Sequence, residues 1–541
     1  MPFRDFLESL GIFLLCLILF TCGANLSGIS GFESRFYVFA VEMWQRGVDW
    51  FPTLYGQPYP DYPATSTIFI YLAASVLGRM SRLAAVFPTA IAAAVTMAMT
   101  YRIGAIQNKR WGLFATFFLL ITFFFLKNAQ SISPDMIIAM VTTCCFYIVY
   151  SADIRVQHKQ NHWLYVLLLL GFAVRGPIGL ILPAGVVSMY YLQSANFRRL
   201  FLVGATALLL LILSMMILAL IADHTGGQAF LHAVLTAEVA GRLAESHQVL
   251  PIYFYFVQGL EDYAPTFPLA LMVTLGVMYY EECLHEHTPA LRLLLKLFGW
   301  MIVILLGMSM LGSKKTRYIL SMAPAISLLS AYIFVAPKTE RYFLYLRWII
   351  LRAFLLLPIA LFIGIRILLL GQYKQLLFSL PIDYVFITKI LFALFGCSFA
   401  AFIALRDKPT WRESGILFIA ATSVFFVHLM VVQPIAQFLN PTQDFVRTVE
   451  AIRKGHKEQL VFYDVPQDGW AVKYLAQQQT ITSPIFITGE AALAAYFERA
   501  YFVTDLPHYH TLSAQDRSLH MVMHGNVETT PVVVFEKVTN Q

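Results

Sequence analysis

Runs of about twenty apolar residues recur along the chain, parted by short charged turns, and nothing else in it restricts the fold so severely. In hydrocarbon every backbone N–H and C=O must find a partner inside the protein, which leaves helices or a closed barrel. Runs of this length and continuous apolarity predict helices. Counting them gives about thirteen spans, near residues 8–27, 82–101, 111–129, 136–153, 162–174, 177–193, 200–221, 265–281, 294–311, 318–336, 348–367, 384–405 and 414–434. A shorter run, 64–78, predicts a helix lying against the membrane surface. The charged fraction supports the same class. It is 13% of the 541 residues, with 59% hydrophobic, where soluble domains carry about 25% charge.

Basic residues orient such a bundle, because cytoplasmic loops are enriched in Lys and Arg. With the N-terminus inside, the inner turns carry Arg102, Lys109 and Arg110, then Arg155 and Lys159, then Arg198 and Arg199. Lys338, Arg341, Arg347, Arg406, Lys408 and Arg412 continue the alternation. The opening stretch resembles a signal peptide but lacks a small-residue cleavage site, so it is expected to stay as the first helix. The net charge of +7 is spread along the chain and gives no footprint for nucleic acid. The six cysteines lie in or beside apolar runs without metal-ligand spacing, which predicts neither a disulfide framework nor a zinc site.

Past about residue 440 the pattern changes. "QLVFYDV", "SPIFITG", "AYFVTDL" and "TPVVVFEKV" read as strands, while "DGWAVKYLAQQQ" and "EAALAAYFERA" read as helices. The expected organisation is a membrane domain over 1–435, with outer loop helices at 29–80 and 223–264, and a soluble α/β domain over 436–541 on the outer side.

Six cations, Arg35, Arg175, Arg242, Lys314, Lys315 and Arg317, fall on the outer side against the rule. They lie near outer acids, a pattern suited to anionic ligands such as phosphates. The opening loop adds Glu33, Glu42, Asp61 and Tyr59. Its stretch "ESRFYVFAVEMWQRG" has helical spacing with Gly47 as C-cap, and an amphipathic anchor with water-facing charges would look the same. Asp135 follows Pro134 at the start of a span, where it can cap the helix. Arg175 is an isolated charge at a hairpin tip. Two further stretches supply Glu238, Arg242, His247, Tyr253 and Tyr255, then Lys314, Arg317 and Tyr318. A lone His such as His247 is more often a surface or hydrogen-bonding residue than a metal ligand. The aromatic faces of Tyr253 and Tyr255 can line a ligand site, and Tyr255 fits an interfacial aromatic belt better.

These stretches, in order, resemble the oligosaccharyl- and protein-mannosyltransferase-like membrane glycosyltransferases of the GT-C type, above all the lipid A aminoarabinose transferase branch. "FESRFYVFAVEMWQRGVDWFPTLYGQPYPDYP" is similar to that family's first outer loop. "SPDMIIAM" resembles its acidic turn, "FAVRGPIGLILP" its T-K-G-P turn and "GSKKTRYILSMAPA" its G-K-x-x-R-Y-I-L-P stretch. The likeness runs from residue 1 to about 335, with departures. Phe32 stands where the family has its first carboxylate, Tyr62 where it has a Lys after an acid, and Arg175 where it has another Lys.

The resemblance implies an enzyme, a glycosyltransferase that takes a sugar from a polyprenyl-phosphate carrier and passes it to a lipid A-like lipid on the periplasmic face of a bacterial inner membrane. Glu33, Asp61 and Asp135 are then the candidate catalytic acids, with the choice among them open. Arg35, Tyr59, Arg175, Glu238, Arg242, His247, Lys314, Arg317 and Tyr318 are the candidate substrate-binding residues. Cations at these positions can stabilise a leaving phosphate, so no cofactor is required and no metal ligands are assigned, although a divalent ion is compatible. Transfer to protein Ser or Thr, or to a polysaccharide, fits the same residues. A transporter or flippase is a further alternative, but its usual internal repeat is not visible.

Overall fold

The computed structural model describes residues 3–537 except 25–27, 61–62, 156–161, 241–249, 280–287, 338–340, 372–377, 379, 381, 439, 457–458, 479–483, 497–499 and 517. The chain divides into two compact units. One holds residues 1–24, 60–66 and 86–432, and the other 25–59, 67–85 and 433–541.

The first unit is a helical bundle. Among the described residues nine helices are long and apolar enough to cross a membrane, as befits an integral membrane protein. A tenth segment, Lys109–Ile121 followed by Phe123–Ala129, is bent by 77° where a straight span was expected. The bend falls at Thr122, whose backbone is extended. Its hydroxyl bonds the Phe118 carbonyl at 2.8 Å and meets the Thr266 hydroxyl at 2.6 Å, so the polar groups freed by the bend are answered inside the bundle. The other expected segments are also present. Helix Phe3–Thr21 carries three charges near its start, and Thr266–Tyr279 is 14 residues long. His162–Gln193 holds two expected spans in one.

That last element is a hairpin. Its backbone leaves helical geometry at Arg175 and Gly176. A Cβ on Gly171 would lie 2.1 Å from the Gly179 carbonyl oxygen, and one on Gly179 2.0 Å from that of Gly171. In a straight helix residues eight apart would stand about 12 Å from each other. The two arms therefore touch backbone to backbone, which small residues alone permit.

Ion pairs gather one set of helix ends. Glu413, almost fully buried, lies between Arg110, at 2.8 Å, and Arg347. Lys109 reaches Asp5 at 3.0 Å and Glu8 at 2.8 Å, and Asp153 holds Arg199 at 2.9 Å. All of these belong to turns expected on the inner side. Asp135 and Asp153 sit near opposite ends of the 22-residue helix Pro134–Arg155, so about 30 Å of helix separates this layer from the other end.

The second unit contains a five-stranded sheet in the order Ile485–Ile487, Gln459–Tyr463, Ala500–Asp505, Thr530–Lys537, Leu519–Val527. The first three strands are parallel and the last two pair antiparallel. Val461, Phe502, Val533 and Phe535 are central to its core. Four of these strands match sequence expectation. The edge strand Leu519–Val527 does not, because His520, His524 and Asn526 interrupt its apolar pattern and few of its side chains are buried. The same unit carries helix Glu33–Arg46, ended as expected by Gly47 at φ 101°. A tight hairpin follows, with Tyr55 and Gly56 both at positive φ, and buried Glu42 accepts their N–H groups at 2.6 and 3.0 Å.

Gly179→Ala should lower the melting temperature of the purified protein markedly, since the added methyl collides with backbone. Gly204→Ala, where a Cβ meets nothing within 4 Å, should leave it unchanged or raise it, as Ala favours helix by up to about 1 kcal/mol over Gly. A thermal unfolding scan in detergent compares the two.

Candidate active site

Asp135 lies in the first turn of its helix, beside Pro134, whose missing N–H costs nothing at that position. Its carboxylate is 7% exposed and faces two guanidinium groups. Oδ1 stands 3.0 Å from Arg175 Nε, and Oδ2 3.3 Å from Arg317 Nε. Arg175, at 1% exposure, occupies the hairpin break, and Gly176 follows it at φ 62°, a conformation glycine adopts readily and other residues rarely. Gly176 is held to that identity a second way, because a Cβ would lie 2.5 Å from Glu238 Oε2. Glu238, buried in the π-helical turn Thr236–Ala240, thus brings a second carboxylate against the same break.

Arg317 and Tyr318 come from the 3-10 turn Thr316–Met322 that leads into helix Ala323–Ala331. The Tyr318 ring lies against both cations, with its centroid 5.5 Å from the Arg175 guanidinium carbon and 5.4 Å from that of Arg317. Such contacts are attractive and gain strength when shielded from water. The cluster holds two acids and two guanidiniums, and all four charges come from the membrane unit.

Excess positive charge enters just upstream. Lys314 Nζ donates to the Leu250 carbonyl at 3.1 Å and forms no ion pair among the described residues. Lys315 is exposed, and its backbone N–H donates to the Tyr255 phenol at 3.1 Å. Tyr255 was expected in an interfacial belt and is instead fully buried. Burial raises its phenol above the usual tyrosine range, so it stays a neutral hydroxyl holding this turn in place. Tyr253 is 63% exposed.

The other expected site residues fall elsewhere. Glu33, Arg35 and Tyr59 belong to the second unit. Glu33 pairs with Arg82 at 3.2 Å, and Arg82 also donates to the Gly28 carbonyl at 2.7 Å. Arg35 pairs with Asp468 at 2.7 Å, and the Tyr59 hydroxyl donates to the same carboxylate at 2.8 Å. Asp61, Arg242 and His247 lie outside the described residues. Sequence reasoning missed Arg82 and Asp468, whose partners are distant in the chain and leave no local pattern. Among the described residues no three His, Cys, Asp or Glu side chains converge as a metal-ligand set.

Residues 61–222, which include Asp135 and Arg175, match the family model described as dolichyl-phosphate-mannose-protein mannosyltransferase. No curated protein sequence is significantly similar to the chain. The chain is similar in structure to ArnT from Cupriavidus metallidurans bound to undecaprenyl phosphate, with a TM-score of 0.69 at 13% identity over 97% of each chain. The apo state of ArnT from the same organism gives 0.68, at the same identity and coverage. At that identity the likeness establishes the fold, a GT-C architecture. The partial family match and the fold together support a membrane glycosyltransferase.

Arg175→Met should destabilise the protein by about 3 kcal/mol, since it removes the more deeply buried of the two cations that face Asp135. Arg175→Lys should recover part of the loss. Melting temperatures of the three proteins in one detergent provide the comparison.

Proposed function

We propose that this chain transfers a sugar from a polyprenyl-phosphate carrier to a lipid A-like lipid at the periplasmic face of a bacterial inner membrane. The observation that carries the proposal is the buried cluster of Asp135, Arg175, Glu238 and Arg317, with Lys314 three residues before Arg317 in the chain. Charges placed inside a membrane protein are expensive and face interior cavities or one another, so they mark functional sites. This cluster sits at the end of the bundle opposite the expected inner turns. The family matched over part of the chain is described by a dolichyl-phosphate donor, and ArnT, similar in fold, has been seen with undecaprenyl phosphate. Both are consistent with a phosphate-linked carrier here.

In the proposed reaction the bond between the anomeric carbon and the carrier phosphate oxygen breaks, and its electron pair stays on the phosphate. An oxygen of the acceptor forms the new bond to that carbon. Charge growing on the phosphate needs cations already in place. Lys314 meets that need best, because Arg175 and Arg317 are partly neutralised by Asp135 while Lys314 has no acid beside it among the described residues. Arg317 and Arg175 supply further N–H donors.

A hydroxyl acceptor also needs a proton acceptor. The two oxygens of Asp135 each face a guanidinium, and Glu33 faces Arg82. Neither is arranged as an open base. An acceptor that is already anionic, such as a lipid phosphate, needs positioning alone and asks no proton transfer of either carboxylate.

Mass spectrometry of lipids and proteins from cells with and without the chain tests the proposal. A lipid shifted by the mass of one sugar is expected. A shift confined to protein would remove the lipid acceptor, and no shift in any pool would remove the transferase. For the purified protein, Lys314→Ala should weaken undecaprenyl phosphate binding roughly 10- to 100-fold, the range for loss of one hydrogen bond to a charged group. Calorimetric titration measures it.

A further inference from the structure

We propose that a cavity in the α/β domain binds a single sugar ring. It lies between helix Thr442–His456 and the strands Gln459–Tyr463 and Ile485–Ile487, and its volume is about 210 Å³. Pockets for drug-sized ligands run to roughly 300–1,000 Å³, so this one has room for one ring and not for a chain of them. Every residue that lines it belongs to the second unit, and the inference does not depend on the transferase reading.

Arg453, Gln459 and Gln478 give the cavity its polar side. Glu450 orients two of them. Its Oε1 accepts from Arg453 Nη1 at 3.2 Å and from Gln478 Nε2 at 2.7 Å. A carboxylate can only accept, so the Gln478 amide must turn its nitrogen to Glu450 and its oxygen away. Gln478 is 8% exposed, and among the described residues that oxygen has no hydrogen-bond partner. Buried acceptors are seldom left so, because an unmatched one is costly. Gln459 is fixed in the opposite sense. Its Oε1 accepts from the Tyr496 hydroxyl at 2.8 Å, which leaves the amide nitrogen to donate.

The cavity thus combines an oriented acceptor with donors. A hydroxyl answers both, since it gives one hydrogen bond and accepts others. A phosphate or carboxylate only accepts and would leave the Gln478 oxygen unmatched. An ammonium only donates and has nothing to give the Gln459 amide. Charge points the same way. Among the described lining residues Arg453 carries the only charge, and Glu450 balances it, so a neutral ligand fits best. The remaining lining is apolar, with Pro484 and Ile485 partly exposed and Leu460 and Leu475 buried beside them. A sugar ring carries hydroxyls on its edge and C–H groups on its face, and this lining has a surface for each. Water is held by polar partners alone and makes no use of the apolar wall.

Saturation-transfer NMR on the purified full-length protein, in a detergent without a sugar headgroup, tests the inference. Glucose, mannose, galactose and glucuronate are supplied in turn, and inorganic phosphate is then added as a competitor. At least one neutral sugar should bind, with a dissociation constant of about 1 mM, the weak range expected of a small ligand held by a few hydrogen bonds. Gln459→Ala should weaken that binding roughly 2- to 10-fold, the loss of one neutral hydrogen bond. Its melting temperature should not change, because Gln459 is exposed. Gln478→Ala should weaken binding at least as much. Wild type that binds no neutral sugar overturns the inference. Binding of glucuronate alone, or displacement of the neutral sugar by phosphate, also overturns it by showing a site for anions. Equal binding by wild type and both variants would place the sugar outside this cavity and overturn it as well.

Discussion

A carboxylate taken out of water must be paired, and in this protein the buried pairing of Asp135 with Arg175 and Arg317 governs how the membrane unit is built at one end. Three segments far apart in sequence are tied there by opposite charges. Two of them reach the meeting point through irregular backbone. Asp135 opens a regular helix behind Pro134, whereas Arg175 sits at a helix break completed by Gly176 and Arg317 lies on a 3-10 turn. Glu238 adds a π-helical turn. Regular helix would satisfy these backbones at lower cost, and irregular backbone at membrane depth survives where it is buried in protein or lines a cavity. Concentrating three such departures around four charges is a cost that stability does not explain.

The opposite end of the same bundle makes the contrast plain. Glu413 is buried between Arg110 and Arg347, so the charge physics is similar. There the acid and Arg347 stand on regular helices, and Arg110 lies in the first turn of one capped by Asn108. Helix interiors and caps are the inexpensive way to place a charge, and they serve well where the task is to hold spans together. Breaks are the expensive way, and they place side chains with an orientation that helix geometry forbids. The two layers therefore differ chiefly in backbone, which sets the candidate site apart from a joint.

How far this could be read from the sequence depends on the range of each interaction. Spans were legible because hydropathy is local, and the hairpin at Arg175 because Gly176 and Pro177 interrupt an apolar run. Gly47 was legible as a cap for the same reason. The bend at Thr122 was not, since a lone Thr in an apolar run is ordinary and its partner, Thr266, is 144 residues away. Tyr255 was misjudged because belt tyrosines and buried tyrosines share the same sequence context. The pairing of Glu33 with Arg82, and of Arg35 with Asp468, depends on how the second unit folds and leaves no periodic trace. The resemblance to GT-C enzymes named Asp135, Arg175 and Arg317 as candidates. Their meeting, with Asp135 bridging the other two, depends on the fold and leaves no mark in the sequence.

Phe32 shows how a departure from a family pattern can be absorbed. It takes the N-cap position of helix Glu33–Arg46 without a side-chain cap, a place where an acid would bond the open N–H groups. Its ring packs edge-on against Phe36 instead, with centroids 4.8 Å apart. The start of the helix is secured by other means, through Glu528 on the Gly31 N–H and through the Glu33–Arg82 pair. The change thus turns a polar corner into an apolar contact and commits the neighbouring carboxylate to an ion pair. A helix rebuilt in this way supports the loop but offers no open acid at its start. Proton transfer, if the reaction needs it, must then be served from a different part of the chain, and an acceptor that arrives already deprotonated removes the need.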